Sequence, residues 1–402
     1  MFRRINDCGP GLSFPARASL HLIPLVLLSL WVQFTHNSNA QAQEGQEVTP
    51  LELGKPVERE SSGSQGHAYQ VTLTEGQFAN FVVEQRGVDV LTRLFSPDGK
   101  LIVELDAESR TQGQESLEVV ADATGAYKVV VSAKYKLLPA GRYEIRLAEL
   151  RAATQKEGSL EEARRLQTQA RRVFNAGDYG EAIRLGEKSL SLRQGILGPN
   201  HLDVSQALFH LALYSRNAGD IPKAEQLYLR ALAIREKALG PEHVDVSQVL
   251  NNLAYLYYYN LRDYRSAEPL YQRSLAIKEK ALGAAHPQVA YTLVNMGLLE
   301  WKKGDYVKAE DYFQRALTIF EKTSGSESNE VATTTHNLGI VYKESVDYAR
   351  GEVAYKRALQ IWEKVFGTQH PQVALALESL GILYRDKGDY TSAEPLLQRA
   401  LE

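Results

Sequence analysis

The sequence predicts an α+β multidomain chain: an N-terminal antiparallel β-sandwich followed by an all-α solenoid of stacked helix hairpins. Two observations predict the solenoid. An Asp recurs at Asp178, Asp220, Asp263, Asp305, Asp347 and Asp389, at spacings of 42, 43, 42, 42 and 42 residues. A small residue follows each by four places (Ala182, Ala224, Ala267, Ala309, Gly351, Ala393), and a Gly follows the first five by twenty (Gly198, Gly240, Gly283, Gly325, Gly367). A fixed period of this length marks supersecondary units that bury their faces on one another. A third observation predicts the sandwich: between Leu51 and Leu150 the apolar residues alternate with period two, as in half-buried strands.

In chain order, residues 1–42 read as a signal peptide. Arg3, Arg4 and Arg17 precede an apolar run from Leu20 to Trp31, and Ala40-Gln41-Ala42 supplies a small-x-small cleavage pattern. A run of about a dozen residues is short for a membrane span, so an uncleaved anchor is the alternative and an exported chain (periplasm, envelope or secreted) the expectation. Arg3-Arg4 is not followed by the usual twin-arginine motif. The single cysteine, Cys8, precedes the apolar run, so the mature chain is expected to have no thiol and no disulfide. Removing this segment takes away three Arg and one Asp and leaves about 43 basic and 48 acidic side chains. That acidic balance argues against nucleic acid and against an anionic membrane surface as partners.

Residues 43–50 read as a polar lead, residues 47–150 as the sandwich, 151–158 as a linker and 159–402 as the solenoid. Strand stretches begin at His67, Phe78, Val88, Leu101, Leu117, Tyr127 and Tyr143. Turn signals separate them at Glu75-Gly76, Pro97-Asp98-Gly99, Thr124-Gly125 and Ala140-Gly141. Seven or eight strands in about 100 residues suit an antiparallel sandwich. Asp89, Asp98 and Asp106 have no calcium-loop spacing, and Asp98 is explained as a turn residue. The phrases Ser96-Pro97-Asp98-Gly99, Thr124-Gly125-Ala126-Tyr127 and Gly141-Arg142-Tyr143 resemble the bacterial pre-peptidase C-terminal type of sandwich. That resemblance implies carbohydrate binding, calcium binding or a spacer role.

Within one solenoid unit, Asp220 is a good N-cap and Leu227, Tyr228, Ala231, Leu232, Ile234, Ala238 and Leu239 fall mostly at spacings of three and four, so one helix face is buried. In the first unit Glu181 stands where a capping box requires it. Gly240 suits the left-handed residue that ends a helix, and a second helix is expected over roughly Val244 to Tyr259. Pro287 and Pro371 fall in the first turn of the equivalent helices, where a missing N–H does little harm.

The repeated anchors resemble the tetratricopeptide repeat: Leu253-Ala254 with Tyr257, then Ala224, Tyr228 and Ala231, repeated as Ala267, Tyr271, Ser274 and as Ala309, Phe313, Ala316. The 42-residue length with Ala-Leu-Gly-Pro-Glu-His and Asn-Asn-Leu-Ala resembles the kinesin-light-chain variety. The resemblance spans Ser159 to Glu402 and implies a right-handed superhelix. Local departures are Gly186 for the large residue, Ser215 and Glu300 for the helix aromatic, and Gly351 for Ala.

The resemblance further implies a concave peptide-binding groove. Two places before the small residue of each lining helix stand His210, Asn252, Asn295, Asn337 and Ser379, and the resemblance assigns Asn252, Asn295 and Asn337 to the backbone of an extended peptide. A carboxamide offers both a donor and an acceptor, which matches a peptide unit. Four places after the small residue stand Arg216, Tyr258, Trp301, Lys343 and Arg385, a mixture typical of interface anchors. The competing expectation is that these asparagines bond neighbouring helices and the rest is solvated.

Little else suggests chemistry. His201, His243, His286 and His370 recur three places after the closing Gly of four units, but equivalent points on stacked helices are about 8–10 Å apart. Metal ligands must lie about 2 Å from one ion, so these histidines are expected to cap or pack the next helix. No nucleophile triad, phosphate loop or zinc-helix motif appears, so neither enzyme activity, metal nor cofactor is expected. Leu396, Leu397 and Leu401 lie in a last unit that lacks its closing Gly. This raises end-to-end self-association, or a chain continuing into a further domain. A sandwich followed by such repeats is similar to the N-terminal region of bacterial CHAT-domain proteins. The expected function is an exported protein–protein interaction scaffold. The alternatives are the sensor part of a CHAT-type peptidase and a carbohydrate-binding envelope protein acting through its sandwich.

Overall fold

A computed structural model describes residues 48–61, 66–105, 112–134 and 140–401. The signal segment, Cys8, Asp106 and residues 43–47 of the polar lead lie outside the described residues. Nine strands form the N-terminal unit: β1 Val48–Pro50, β2 Val57–Ser61, β3 Gly66–Leu73, β4 Gln77–Arg86, β5 Val90–Phe95, β6 Leu101–Leu105, β7 Gln112–Val120, β8 Gly125–Ala133 and β9 Gly141–Ala152. They make a five-stranded sheet, β1-β3-β8-β5-β6, and a four-stranded sheet, β2-β9-β4-β7. All pairings are antiparallel except β1 on β3, where Val48 faces Ala68. Residues 48–50 are therefore an edge strand and not part of a polar lead.

The two sheets share one apolar core. Tyr127, Val129 and Val131 of β8 and Tyr143, Ile145 and Leu147 of β9 alternate inward, as the period-two pattern requires. A polar chain crosses this core: the Tyr69 and Tyr143 hydroxyls are 2.7 Å apart and His67 Nδ1 is 2.8 Å from Tyr143 Oη. Each buried phenol thereby finds a partner.

Twelve helices follow among the described residues: α1 Gln155–Asn175, α2 Tyr179–Leu197, α3 Leu202–Asn217, α4 Ile221–Leu239, α5 Val244–Tyr255, α6 Tyr264–Leu282, α7 Pro287–Lys303, α8 Tyr306–Thr323, α9 Asn329–Glu344, α10 Tyr348–Phe366, α11 Pro371–Asp386 and α12 Tyr390–Leu401. The expected linker over 151–158 is mostly structured. β9 runs on to Ala152, and Thr154 starts α1 through a capping box with Glu157. At Glu181 no such box forms, because its carboxylate turns to Arg184. Asp178, Asp220, Asp263, Asp305, Asp347 and Asp389 each accept from the backbone N–H three residues on, which satisfies one of the free donors of a helix start. Gly198, Gly240, Gly283 and Gly367 close helices with φ between 81° and 90°.

The tightest hairpins pair each odd helix with the even one after it, α3 with α4, α7 with α8, α9 with α10. Their contact is a small residue against an aromatic or Leu. A Cβ added to Gly297 would lie 2.7 Å from Phe313, and one added to Gly339 would lie 2.6 Å from Tyr355. Gly186 is filled from outside its helix by Leu211 and Tyr214.

The 43-residue unit has a local explanation. The small Ala254 is nine residues before Asp263, whereas Gly297 is eight before Asp305. The extra residue is absorbed in a π-helical turn, Leu256–Leu261, which ends at Arg262 in the left-handed region (φ 56°). The helix expected over Val244–Tyr259 is thus α-helical only to Tyr255.

Helix α1 joins the two units. β7 is an edge of its sheet, and Arg164 Nη1 donates to Glu118 O at 2.6 Å while Val120 N–H makes a long bond to Glu161 Oε2 at 3.5 Å. Glu161 is buried, which raises its pKa above the usual carboxylate value, and Arg164 Nη1 lies 3.5 Å from it.

Candidate functional site

The odd helices α3, α5, α7, α9 and α11 carry the expected groove residues, except Tyr258, which lies in the π turn that follows α5. α9 approaches both α7 and α11 across the stack, more extensively than any two successive even helices approach one another. Helix α7 is the most enclosed: from Pro287 to Glu300 every residue except Tyr291 is buried.

The three asparagines are buried: Asn252 is 1% exposed, Asn295 3% and Asn337 2%. A rule of pairing accounts for much of this. The residue one place before the aligned position reaches the aligned residue of the next odd helix. Asn251 Oδ1 accepts from Asn295 Nδ2 at 3.3 Å, and His336 Nε2 lies 2.9 Å from Ser379 Oγ. Where that preceding residue is apolar, the bond is missing. Phe209 precedes His210, and Asn252 instead donates to Gln248 O at 2.9 Å and accepts from Tyr228 Oη at 3.4 Å. Val294 precedes Asn295, and Asn337 Nδ2 has no partner. Asn295 Oδ1 also lacks one. Neighbouring helices therefore hold one unpaired acceptor and one unpaired donor at equivalent positions. Burial without a partner costs about 1–3 kcal/mol for each such group.

His210 is only partly exposed and lies 2.9 Å from Gln206 Nε2. Burial, helped by the positive charges of Arg171, Arg193 and Arg235, holds its pKa down at about 3. His336 is likewise pushed to about 3 by burial. Both rings are neutral at ordinary pH and act through hydrogen bonds.

The second set of expected residues is spread over different environments. Arg216 is buried and stacks on Tyr255, its Cζ 4.7 Å from the ring centroid. Tyr258 sits in the π turn, 1% exposed, with burial raising its pKa above the ordinary phenol value. Trp301 is half-buried beneath Lys302, whose Nζ is 3.9 Å from the ring centroid. Lys343 pairs with Glu344 at 2.8 Å, and the exposed Arg385 pairs with Asp386 at 2.9 Å. The structure thus brings Arg216 and Tyr258 into one aromatic cluster and links Lys343 and Arg385 through a shared carboxylate, Asp386, 4.0 Å from Lys343 Nζ and 2.9 Å from Arg385 Nη2. Asn251, His336 and Tyr255 belong to the site and were not singled out by spacing. Each stands one place before or after an aligned position, and that adjacency was the available signal.

His201, His243, His286 and His370 are N-caps. Each Nδ1 accepts from the backbone N–H two residues on, at 3.1–3.3 Å. Among the described residues no group of three or more His, Cys, Asp or Glu is placed to hold a metal ion, and no helix is long and apolar enough to cross a membrane.

The sequence profile of the tetratricopeptide repeat matches overlapping stretches 173–237, 211–280, 245–322, 288–350 and 330–402, which together cover more than half of the chain. No curated protein matches the chain. Among solved structures, BtubC (BKLC) from P. vanneervenii is 27% identical, with 62% of this chain and 90% of that one covered at a TM-score of 0.46. A Podosopora anserina protein with nearly identical TPR-like repeats is 22% identical, covering 52% of this chain and 97% of that one, at 0.46. PilW, a type IV pilus biogenesis factor, is 16% identical, covering 62% of this chain and all of that one, at 0.46.

Proposed function

This chain belongs to the tetratricopeptide repeat family, and on that premise we propose that it is an exported, non-enzymatic scaffold that holds an extended segment of a partner protein along its odd helices. Repeats of this type serve as protein–protein interaction scaffolds. The finer reading rests on one observation: Asn295 Oδ1 and Asn337 Nδ2 are a buried acceptor and a buried donor without partners on the successive odd helices α7 and α9. A peptide unit supplies the complementary N–H and C=O. Both amides lie below the surface, so the segment must enter between the helices to reach them.

The test is selection from a displayed library of random peptides about a dozen residues long against residues 43–402, followed by affinity measurement with Asn295→Leu and Asn337→Leu. Losing one buried hydrogen bond is worth about 1–1.5 kcal/mol, close to tenfold in affinity. Selected peptides that bind parent and variants equally would sink the reading, as would a selection that enriches nothing.

A further inference from the structure

The hairpin α5–α6 carries the inserted residue, and three observations set it apart. The first is backbone register. In the other units the N–H of the capping Asp donates to the carbonyl five residues before it, as Asp220 to Ser215, Asp305 to Glu300 and Asp389 to Tyr384. The Asp263 N–H spans six residues and reaches Tyr257 O at 2.9 Å. The π turn closes on Arg262, whose φ of 56° places it in the left-handed region, where other units have Gly177, Gly219, Gly304 and Gly388.

The second observation is polar burial. The hydroxyls of Tyr258 in the turn and Tyr271 on α6, with Asn260 Oδ1 in the turn, are buried and have no hydrogen-bond partner. Each of them disfavours the closed turn. Aromatic packing opposes this loss: Tyr258 meets Tyr255 and Tyr264 with ring centroids 6.2 and 6.0 Å apart. Gain and loss of comparable kind therefore meet at one place.

The third observation concerns the flanks. α5 meets α4, and α6 meets α7, less extensively than α2 meets α3, α8 meets α9 or α10 meets α11. The approach of α9 to both α7 and α11 has no counterpart at α5. Charge ties this hairpin to its neighbours along the even helices. Arg273 of α6 pairs with Glu236 of α4 at 2.7 Å and donates to Pro241 O at 2.8 Å, and Lys280 pairs with Glu242 at 2.5 Å. On the far flank, Glu268 and Glu279 of α6 pair with Lys303 of α7 at 2.8 Å and Arg315 of α8 at 2.9 Å. All these side chains are partly exposed, where salt screens an ion pair. The Arg273 rung recurs as Arg357 with Glu321 at 2.6 Å, but there the fuller packing of α8 on α9 backs it.

We propose that α5–α6 is a conformational joint of the solenoid, held shut by these ion pairs and opened by salt through release of the π turn. In the open form Asp263 gives up its bond to Tyr257, the inserted residue leaves the helix, and Tyr258 and Asn260 reach water. Because Asn252 stands on α5 and Asn295 on α7, opening changes the course of the odd-helix row. The inference holds whether or not that row binds a peptide.

Hydrogen exchange of the full chain is measured at about 20 mM and about 500 mM NaCl, which shortens the screening length from about 20 Å to about 4 Å. After correction for intrinsic rates, amides over residues 250–262 should exchange about tenfold faster than those of α9 at low salt. High salt should speed them a further three- to fivefold, about the worth of two exposed ion pairs, with a smaller change in α9. Arg273→Ala should raise their exchange about threefold at low salt and leave less for salt to add, whereas Arg357→Ala should change α9 by less than about twofold. Deleting Asn260 restores the interval of 42 residues and should slow this segment to the rate of α9. Should the deletion variant not fold, the comparison of Arg273→Ala with Arg357→Ala decides. Equal protection of α5 and α9 at low salt, a salt response spread evenly over the hairpins, or equal effects of the two Arg variants overturns the proposal.

Discussion

Replacing Lys278 by Met should stabilise the protein, and the gain should shrink as pH rises. Lys278 lies on α6, 4% exposed, and its ammonium nitrogen has one partner, Thr292 Oγ1 on α7, at 2.9 Å. It stands fifteen residues after its Asp, where Arg193 and Arg235 reach backbone carbonyls and where Phe320 and Trp362 later fill the space with rings. Lacking a carboxylate, the amine is pulled by burial from its ordinary value to about 7. In the unfolded chain it keeps its proton up to about 10.4. Between these limits the unfolded state binds the extra proton, so stability rises with pH across roughly 7 to 10 and is flat below that window. At about 1.4 kcal/mol per pH unit, the ceiling on the cost at neutral pH is about 5 kcal/mol. Local relaxation lowers this, and about 2–3 kcal/mol is expected.

The assay is denaturant unfolding of parent and variant at pH 6, 7, 8 and 9, followed by tryptophan fluorescence. The advantage of Lys278→Met should be constant from pH 6 to 7, then fall by about 1 kcal/mol per unit. His286, the N-cap of α7, is held near 4 by burial, with Lys134 and Lys278 contributing, so it titrates below this range. An advantage independent of pH, or a variant less stable than the parent at pH 7, would refute the reasoning.

Two further outcomes follow from backbone geometry. Val346 is 67% exposed with φ 63°, at the turn position where Gly177, Gly219, Gly304 and Gly388 have φ of 81–88°. A β-branched residue there is strained by about 1–2 kcal/mol, so Val346→Gly should raise stability by about 1 kcal/mol, read as a rise in melting temperature. Gly339→Ala should do the opposite. Its new methyl would lie 2.6 Å from the buried Tyr355 ring, a cost of about 1–3 kcal/mol that outweighs the better helix propensity of Ala. Adding Tyr355→Leu to that change should recover part of the loss in the same melting assay.

What could be read from the sequence depended on how local each cause is. The aspartates, closing glycines and capping histidines each need one residue type at one fixed offset, and their helices begin and end accordingly. Strands β1 and β2 were not legible, because Val48–Pro50 and Val57–Ser61 are short edge strands without alternation. The Thr154-x-x-Glu157 pattern was present in the sequence, and it starts α1 inside the stretch assigned to a linker. The interval of 43 residues announced one extra residue, but whether a loop or a helix would absorb it depended on tertiary packing around Tyr255 and Tyr258. The candidate site shows the limit most clearly. Spacing placed Asn295 and Asn337 on equivalent helix positions, yet their different bonding is decided by Asn251 and Val294 on the preceding helices. The exchange of a carboxamide for an isopropyl group across that boundary has no signature in the repeat itself.

The seating of α1 against β7 also bears on the order in which this chain can assemble. Repeats that touch only their neighbours tend to form by propagation along the stack, and the outermost helix is ordinarily the first to fray. Here α1 has a neighbour on both sides, α2 on one and the strand edge on the other. Arg164 and Glu161 occupy backbone groups of β7 that another strand would otherwise use. An emerging chain completes the sandwich before the helices exist, so this edge stands open until α1 arrives and then closes. Closure at once removes a site for intermolecular strand pairing and gives the first hairpin a fixed wall to form against.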